Sequence, residues 1–341
     1  MTAADGYLDH LPFPILIGDI GGTNARFALV NGPDAPIERL PDVHTAAFLN
    51  IDDAIEKAVV EGAGDRPQSA VLAIAGPIAG DRVPLTNSPW VVEPKKLIQR
   101  FGLSEVVLLN DFEAQSLALP DLGPDDVSRI GDGEATPIHA RVVIGPGTGL
   151  GAGALVQSRG VWVPVPGEGG HIGLGPFTKR DLEVWPHVER QGPRVSAETL
   201  LCGAGMLRLY RAVAASDGVA ATLDAPEEVT QQGLSGENAQ ARETLELFAT
   251  HLGRAAGDIA LVFMAYGGVY LAGGITARIA PVLRSGGFRD AFLDKWPHQK
   301  LMERMATAII TKPDAALAGI AAFARSPRRF GVELDGRRWR A

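Results

Sequence analysis

Asn110 and Asp111 follow four apolar residues in the stretch VVLLNDFEAQ (106–115). An amide and a carboxylate where a buried strand ends allow two physical readings. Asn and Asp are ordinary turn residues. In an open α/β sheet, however, the carboxyl ends of the strands are where ligands bind, and a carboxylate placed there can accept the proton of a reacting hydroxyl. Glu168 and His171 stand three apart in VPGEGGHIG (165–173). That spacing occurs in the di-metal Glu-x-x-His motif of helical bundles. The interleaved glycines argue against a helix, so the stretch reads as a loop that brings two polar groups to a ligand, or as a flexible loop with incidental polar residues. Glu198 lies in RVSAETLL (194–201). Ser196 is a good N-cap and an acid in the first turn complements the helix dipole, so these residues alone read as helix capping.

Three glycine-rich turns could meet phosphate or nucleotide. In GDIGGT, Gly18, Asp19, Ile20, Gly21, Gly22 and Thr23 follow a strand. Turn amides there can form an anion nest, and Asp19 could hold a water on Mg²⁺. No Gly-Lys-[Ser/Thr] follows, so this is not a Walker A loop. The second turn, GPGTGLGAG (145–153), centres on Thr148 and Gly149. From Gly149 it satisfies a relaxed dinucleotide fingerprint, but the residues that follow look like a strand where that fingerprint needs a helix. NAD is therefore discounted in favour of a hairpin nest. In YLAGGI (270–275) a buried strand ends at Gly273 and Gly274, a junction that could lie flat against a base or ribose. Glycine is expected in these turns for positive φ and close backbone approach. His44, His251 and His298 have no partner pattern and read as structural or surface residues.

The elements that must position these residues alternate. Strands are expected at 14–19, 25–30, 70–76 and 106–109, with helices over 51–61, 94–101 and 113–119. Such alternation points to an α/β fold with a mostly parallel sheet. Residues 120–139 are rich in Pro, Gly and Asp and form the best domain boundary. The pattern then restarts with strands at 141–145, 152–156 and 161–165, a helical region from about Ser196, a strand at 308–311 and a helix over 315–324. ILIGDIGGTNARFALV and VVIGPGTGLGAGALV are both strand, Gly-Thr turn, strand, and each heads its half. Two such turns facing a cleft could hold a polyphosphate. The last 17 residues carry six Arg against two acids and read as a solvated tail or edge segment.

Bulk properties limit the partners. The 341 residues suggest about two domains. A net charge of −8 lacks the basic footprint of a nucleic-acid binder. Cys202 is the sole cysteine, which fits a reducing compartment. The N-terminal stretch has no basic n-region and does not read as a signal peptide. Residues 259–277 are uncharged, but Gly267-Gly268 and Gly273-Gly274 divide them into a buried helix, a turn and a short strand rather than a membrane span.

In order, GDIGGTNARFALV, AGPI (75–78), LTNSPW (85–90), LLNDFEAQSLAL, GPGTGLG, PGEGGH, SAE, LYRA (209–212) and YLAGGI resemble the bacterial glucokinase family, over roughly residues 15–275 and more weakly to about 324. With one cysteine the chain lacks the Cys-rich zinc motif of the related ROK sugar kinases, which places the resemblance with the non-zinc glucokinases. The resemblance implies a two-domain actin-like ATPase (ribonuclease H-like) fold. A small α/β domain over 14–122 plus 312–330 and a larger α+β domain over 123–311 would flank a cleft, with terminal extensions at 1–13 and 331–341. It implies ATP and Mg²⁺ as cofactors and D-glucose as the small-molecule substrate, phosphorylated at its 6-hydroxyl to glucose 6-phosphate. Asp111 would be the general base, and Asn110, Asp111, Glu168, His171 and Glu198 would bind the sugar. Gly18 to Thr23 would be the first ATP phosphate loop, with Asp19 near Mg²⁺ through water. Thr148 and Gly149 would be the second loop, and Gly273 and Gly274 the adenosine side. A cytoplasmic homodimer with no nucleic-acid or membrane partner is implied. The alternatives are a kinase for fructose, mannose or an amino sugar, or a non-catalytic sugar sensor.

Overall fold

A computed structural model describes residues 11–62, 66–86 and 88–341. Residues 1–10 of the expected N-terminal extension and Asn87 of the LTNSPW motif lie outside them. The chain forms two units, Met1–Leu122 with Leu155–Pro166 and Pro313–Ala341, and Gly123–Ala154 with Gly167–Lys312.

In the first unit, the apolar segments Ile15–Ile20, Ser69–Ile74 and Glu105–Asn110 are three parallel strands, nearly all buried. Continuous apolar runs of this kind suit a sheet covered on both faces. The full order is Arg338–Arg340, Glu105–Asn110, Ser69–Ile74, Ile15–Ile20, Asn24–Val30, Ile37–Arg39, with Val43–His44 also on Asn24–Val30. Phe27, Ile55, Leu72, Trp90 and Leu108 belong to the core on one side. The Asp111–Ala118 helix packs against the C-terminal helix Ala315–Arg325.

Two boundaries differ from the sequence reading. Residues 331–341 are not an extension: Arg338–Arg340 is an antiparallel edge strand on Glu105–Asn110, and Trp339 is buried in the core. A three-residue strand with two arginines has no apolar pattern to announce it. Residues 155–166 belong to the first unit rather than to the large domain, because Gly331 N–H donates to Trp162 O at 2.7 Å and Trp162 bridges Phe330.

In the second unit the strands Leu150–Ser158 (as far as Ala154), Arg141–Pro146, Val269–Leu271, Thr307–Ile310 and Val127–Ile130 lie in that order. Arg141–Pro146, Val269–Leu271 and Thr307–Ile310 are parallel, and Val127–Ile130 is antiparallel. The last of these falls inside the segment 120–139 read as the domain boundary, where no strand is expected. Its four residues sit among turn-formers, so sequence pattern did not reveal it. Two strands joined by a three-residue turn open each half of the chain, at 21–23 and at 147–149. The uncharged stretch at 259–277 ends the long helix Ala239–Phe263, turns at Met264 and enters Val269–Leu271. No described helix is long and apolar enough to cross a membrane.

Gly319 sets the contact between the Asp111–Ala118 and Ala315–Arg325 helices. A Cβ there would stand 2.2 Å from Ala114 O and 2.7 Å from Ala118 N, both backbone atoms of the Asp111–Ala118 helix. In an open helix, Gly→Ala would gain about 1 kcal/mol. Here the overlap costs about 1–3 kcal/mol and pushes the neighbouring helix. Gly319→Ala is expected to lower stability in urea unfolding, and a gain in midpoint would contradict this packing.

Candidate active site

Asn110 ends its strand and caps the next helix. Its Oδ1 accepts from the N–H groups of Phe112 and Glu113 at 2.9 and 3.2 Å. Glu113 completes a capping box, its Oε2 accepting from Asn110 N–H at 3.3 Å. Such reciprocal capping satisfies two helix-end donors at once. The helix therefore begins at Asp111, two residues before the expected 113. The turn and site readings of Asn110 are not exclusive: its carbonyl is used by the cap, which leaves the amide N–H groups as its donors for a ligand. Asp111 is half-buried in the first turn, where its Oδ1 also accepts from Phe112 N–H at 3.0 Å.

Strand register fixes the neighbour of this pair. Ile20 is level with Ile74, and Ile74 with Asn110. The turn Gly21–Thr23 and the pair Asn110–Asp111 therefore leave the same carboxyl edge of one sheet, two strands apart, or about 10 Å at normal strand spacing. Gly21 N–H closes the turn on Asn24 O at 3.0 Å. Gly18 lies within the strand instead, packed against Leu72 and Phe27, and Ile20 is buried.

Asp19 pairs across the hairpin with Arg26, whose Nη1 is 3.5 Å from its Oδ2. Arg26 and Arg39 both reach Asp314, at 3.6 and 3.2 Å. Burial pushes the Asp19 carboxyl above the usual carboxylate range, and the Arg26 charge and hydrogen bond only partly oppose it. Among the described residues no group of three or more His, Cys, Asp or Glu could hold a metal ion. An incompletely neutralised single carboxylate beside a phosphate-sized turn does fit Mg²⁺, which usually takes one or two carboxylates plus phosphates and waters.

In the second unit Glu168, His171 and Glu198 come together. His171 Nδ1 is 3.8 Å from Glu168 Oε2, and His171 Nε2 is 3.7 Å from Glu198 Oε1. Their side chains are 83%, 54% and 34% exposed, open to a ligand. Gly169–His171 forms one 3₁₀ turn rather than a loop without structure. Backbone bonds from Ala197 N–H to Ile172 O and from Leu174 N–H to Val195 O hold the two segments together. Ser196 caps its four-residue helix with Thr199 as partner. Glu198 instead reaches away, accepting from Leu150 N–H at 2.8 Å.

That bond ties the acidic pair to the second glycine turn. A Cβ on Gly149 would stand 2.5 Å from Glu198 Oε2, so only glycine fits without moving that carboxylate. Gly21, Gly147 and Gly149 do not have the left-handed φ expected of these turns, and close approach is what Gly149 supplies. Gly203 N–H donates to Gly147 O at 2.9 Å and fixes the turn, with Thr148 exposed at its tip. Gly273 does take positive φ, 90°, and a Cβ there would meet Pro146 O at 2.6 Å. Ile144 is level with Leu271, so the turns at 147–149 and 273–274 share one sheet edge. Leu150–Ser158 is a nine-residue strand, not the helix an NAD site requires.

Two residues that shape the site were passed over in the sequence. Glu113 was legible, since Asn110-Asp-Phe-Glu113 spells a capping box. Asp314, far along the chain from Arg26, carried no signal. His251 is buried beside Asp181 and Arg254, and burial lowers its pKa to about 4, so it is a neutral core residue; His44 and His298 are exposed.

Two α/β units with glycine turns at strand ends have the actin-like ATPase architecture that sugar kinases share. A family model described as Glucokinase matches residues 16–327. The chain is 54% identical over 333 residues to a glucokinase of Agrobacterium fabrum (strain C58 / ATCC 33970), covering 98% of each. Among solved structures, a glucokinase from an Antarctic psychrotroph is similar at 33% identity with a TM-score of 0.80, over 91% of this chain and 98% of that one. The fold is also shared by the glucokinase of Balamuthia mandrillaris solved in complex with glucose, at 20% identity and a TM-score of 0.77, over 91% of this chain and 93% of that one. The chain belongs to the bacterial glucokinase family and is a phosphotransferase acting on an alcohol group.

Asp19 carries a stability cost with a definite sign. Its folded pKa is raised, so the folded state holds the proton more tightly than the unfolded chain, and stability falls as pH rises from the unfolded value of 3.8 through the folded one. Asp19→Asn is expected to raise the thermal midpoint at pH 7.5, with the gain vanishing toward pH 4. A lower midpoint at pH 7.5 would contradict the burial of this charge.

Proposed function

We propose that the chain transfers the γ-phosphoryl group of ATP to the 6-hydroxyl of D-glucose, with Asp111 as general base. One observation carries the proposal: Asp111 follows the strand end that is level, in one sheet, with the Gly21–Thr23 turn. A proton acceptor and a phosphate-binding turn on one edge is the pairing that phosphoryl transfer to a hydroxyl needs.

In this reading the sugar oxygen bonds to the γ-phosphorus as its proton passes to the Asp111 carboxylate, and the bond to the β-phosphate oxygen breaks to release ADP. A hydroxyl is a poor nucleophile until its proton is accepted. The remaining work is positioning and charge stabilisation. Asn110 donates amide N–H groups to one hydroxyl. Glu168, His171 and Glu198 supply acceptors and a donor to others, and a site that pairs each hydroxyl rejects sugars lacking one. Backbone N–H groups of Gly22 and Thr23 and of Thr148 and Gly149 meet the phosphates, and Gly273-Gly274 leaves a flat approach for adenosine. Asp19 would hold Mg²⁺ through water, and the ion supplies neutralisation of phosphate charge. Glu198, bonded to Leu150 N–H beside Gly149, links sugar recognition to the second turn. A reducing, cytoplasmic setting is supported by the single buried thiol of Cys202.

A coupled assay for ADP release over a panel of hexoses tests this. Glucose is expected to give the highest kcat/KM. Asp111→Asn should lower kcat by about 10²–10⁴-fold with KM for ATP nearly unchanged. Near-normal turnover by that variant would remove Asp111 as the base, and preference for fructose, mannose or an amino sugar would reassign the substrate.

A further inference from the structure

Glu113 is 2% exposed and stands in the first turn of the helix that begins at Asp111. A buried carboxylate is costly unless it is paired and hydrogen-bonded. Its Oε2 has two partners. One is Asn110 N–H, which completes the capping box. The other is the Arg337 guanidinium, whose Nη1 lies 2.7 Å away and which is itself largely buried. Arg337 comes from the C-terminal segment, beyond residue 327 where the family match ends. Its own place is fixed from both sides. Arg337 O accepts from Leu108 N–H at 3.0 Å, Arg338 pairs with Val107 in the sheet, and Arg337 Nη2 donates to Glu333 O.

We propose that Arg337 is a positioning residue for the reaction: it holds Glu113 in the capping box and thereby fixes Asn110 and Asp111. The inference rests on the proposed role of Asp111. The chain of contacts is short. Arg337 neutralises Glu113, Glu113 accepts from Asn110 N–H, and Asn110 Oδ1 accepts from the first-turn amides next to Asp111. With Arg337 removed, Glu113 loses the guanidinium that pairs with it. The carboxylate must then turn toward water to be solvated, and that change disturbs the cap. A displacement near 1 Å of a reacting group costs about 10²-fold in rate. The neighbouring ion pair, Arg338 Nε to Glu105 Oε2 at 2.6 Å, anchors the same strand without touching the helix, and so serves as the control.

The charge logic supplies a test that simple loss of packing would not pass. A capping box accepts Gln as well as Glu at this position, and Gln needs no cation. Glucose phosphorylation would be measured for the wild type, Arg337→Met, Arg338→Met, Glu113→Gln and the double variant Glu113→Gln/Arg337→Met, with unfolding midpoints alongside. Arg337→Met is expected to lower kcat/KM for glucose by about 10- to 100-fold, with KM for ATP unchanged. Arg338→Met should lower the midpoint and leave kcat/KM within about twofold of wild type. The double variant should be no less active than Glu113→Gln alone. Equal kcat/KM for Arg337→Met and Arg338→Met would overturn the proposal, as would the same fold loss from Arg337→Met in both backgrounds. If Arg337→Met does not fold, the double variant decides: activity matching Glu113→Gln supports the link, and a folded but inactive protein refutes it. A wild type that phosphorylates no sugar would instead sink the functional reading beneath it.

Discussion

Parallel hydrogen bonding among Ile15–Ile20, Ser69–Ile74 and Glu105–Asn110 puts Ile20, Ile74 and Asn110 on one line. In a ladder of this kind a slip by one residue would turn every side chain to the opposite face. Both faces of the three strands are buried, so a slip would misfit the close-packed side chains on each, and the register sets the common edge from which Gly21–Thr23 and Asp111 emerge. The second unit repeats the arrangement, with Ile144 level with Leu271 and glycine turns following both strands. The chemistry assigned to the chain depends on these two lines of residues more than on any loop.

Polar groups at the strand ends are each fixed by something that is not substrate. Asn110 is held by a capping box, Glu198 by the Leu150 amide, and Asp19 by a partial pairing with Arg26. This divides the atoms of each side chain between structure and ligand. Asn110 uses its carbonyl for the helix and keeps its N–H donors. Glu198 uses Oε2 for the backbone, while Oε1 is the oxygen nearer His171. Asp19 differs in being held at a cost, since burial works against its charge.

Much of this was legible in the chain because apolar runs and glycine turns obey local rules. ILIGDI, SAVLAI and EVVLLN announce buried strands, and each glycine turn stands directly after one. The candidate site residues were picked out by type and context, and family resemblance assigned their roles. What escaped had no local signature. Val127–Ile130 and Arg338–Arg340 are short strands whose pairing partners are distant in sequence. The Arg337–Glu113 pair spans 224 positions, and nothing near Arg337 separates it from the other arginines of a basic tail. The sequence offers positive φ and close approach as two reasons for glycine in the turns, and the contact of Gly149 with Glu198 singles out close approach at that position.

In the proposed reaction the phosphate turn and the base on one sheet edge deliver a phosphoryl group to one particular hydroxyl. The most direct measurement is ³¹P and ¹³C NMR of the product formed from ATP and uniformly ¹³C-labelled glucose. Phosphorus coupled to C6 is expected, with no phosphate at C1 and little free inorganic phosphate. Coupling to another carbon, or hydrolysis of ATP without sugar phosphate, would contradict the proposed reaction.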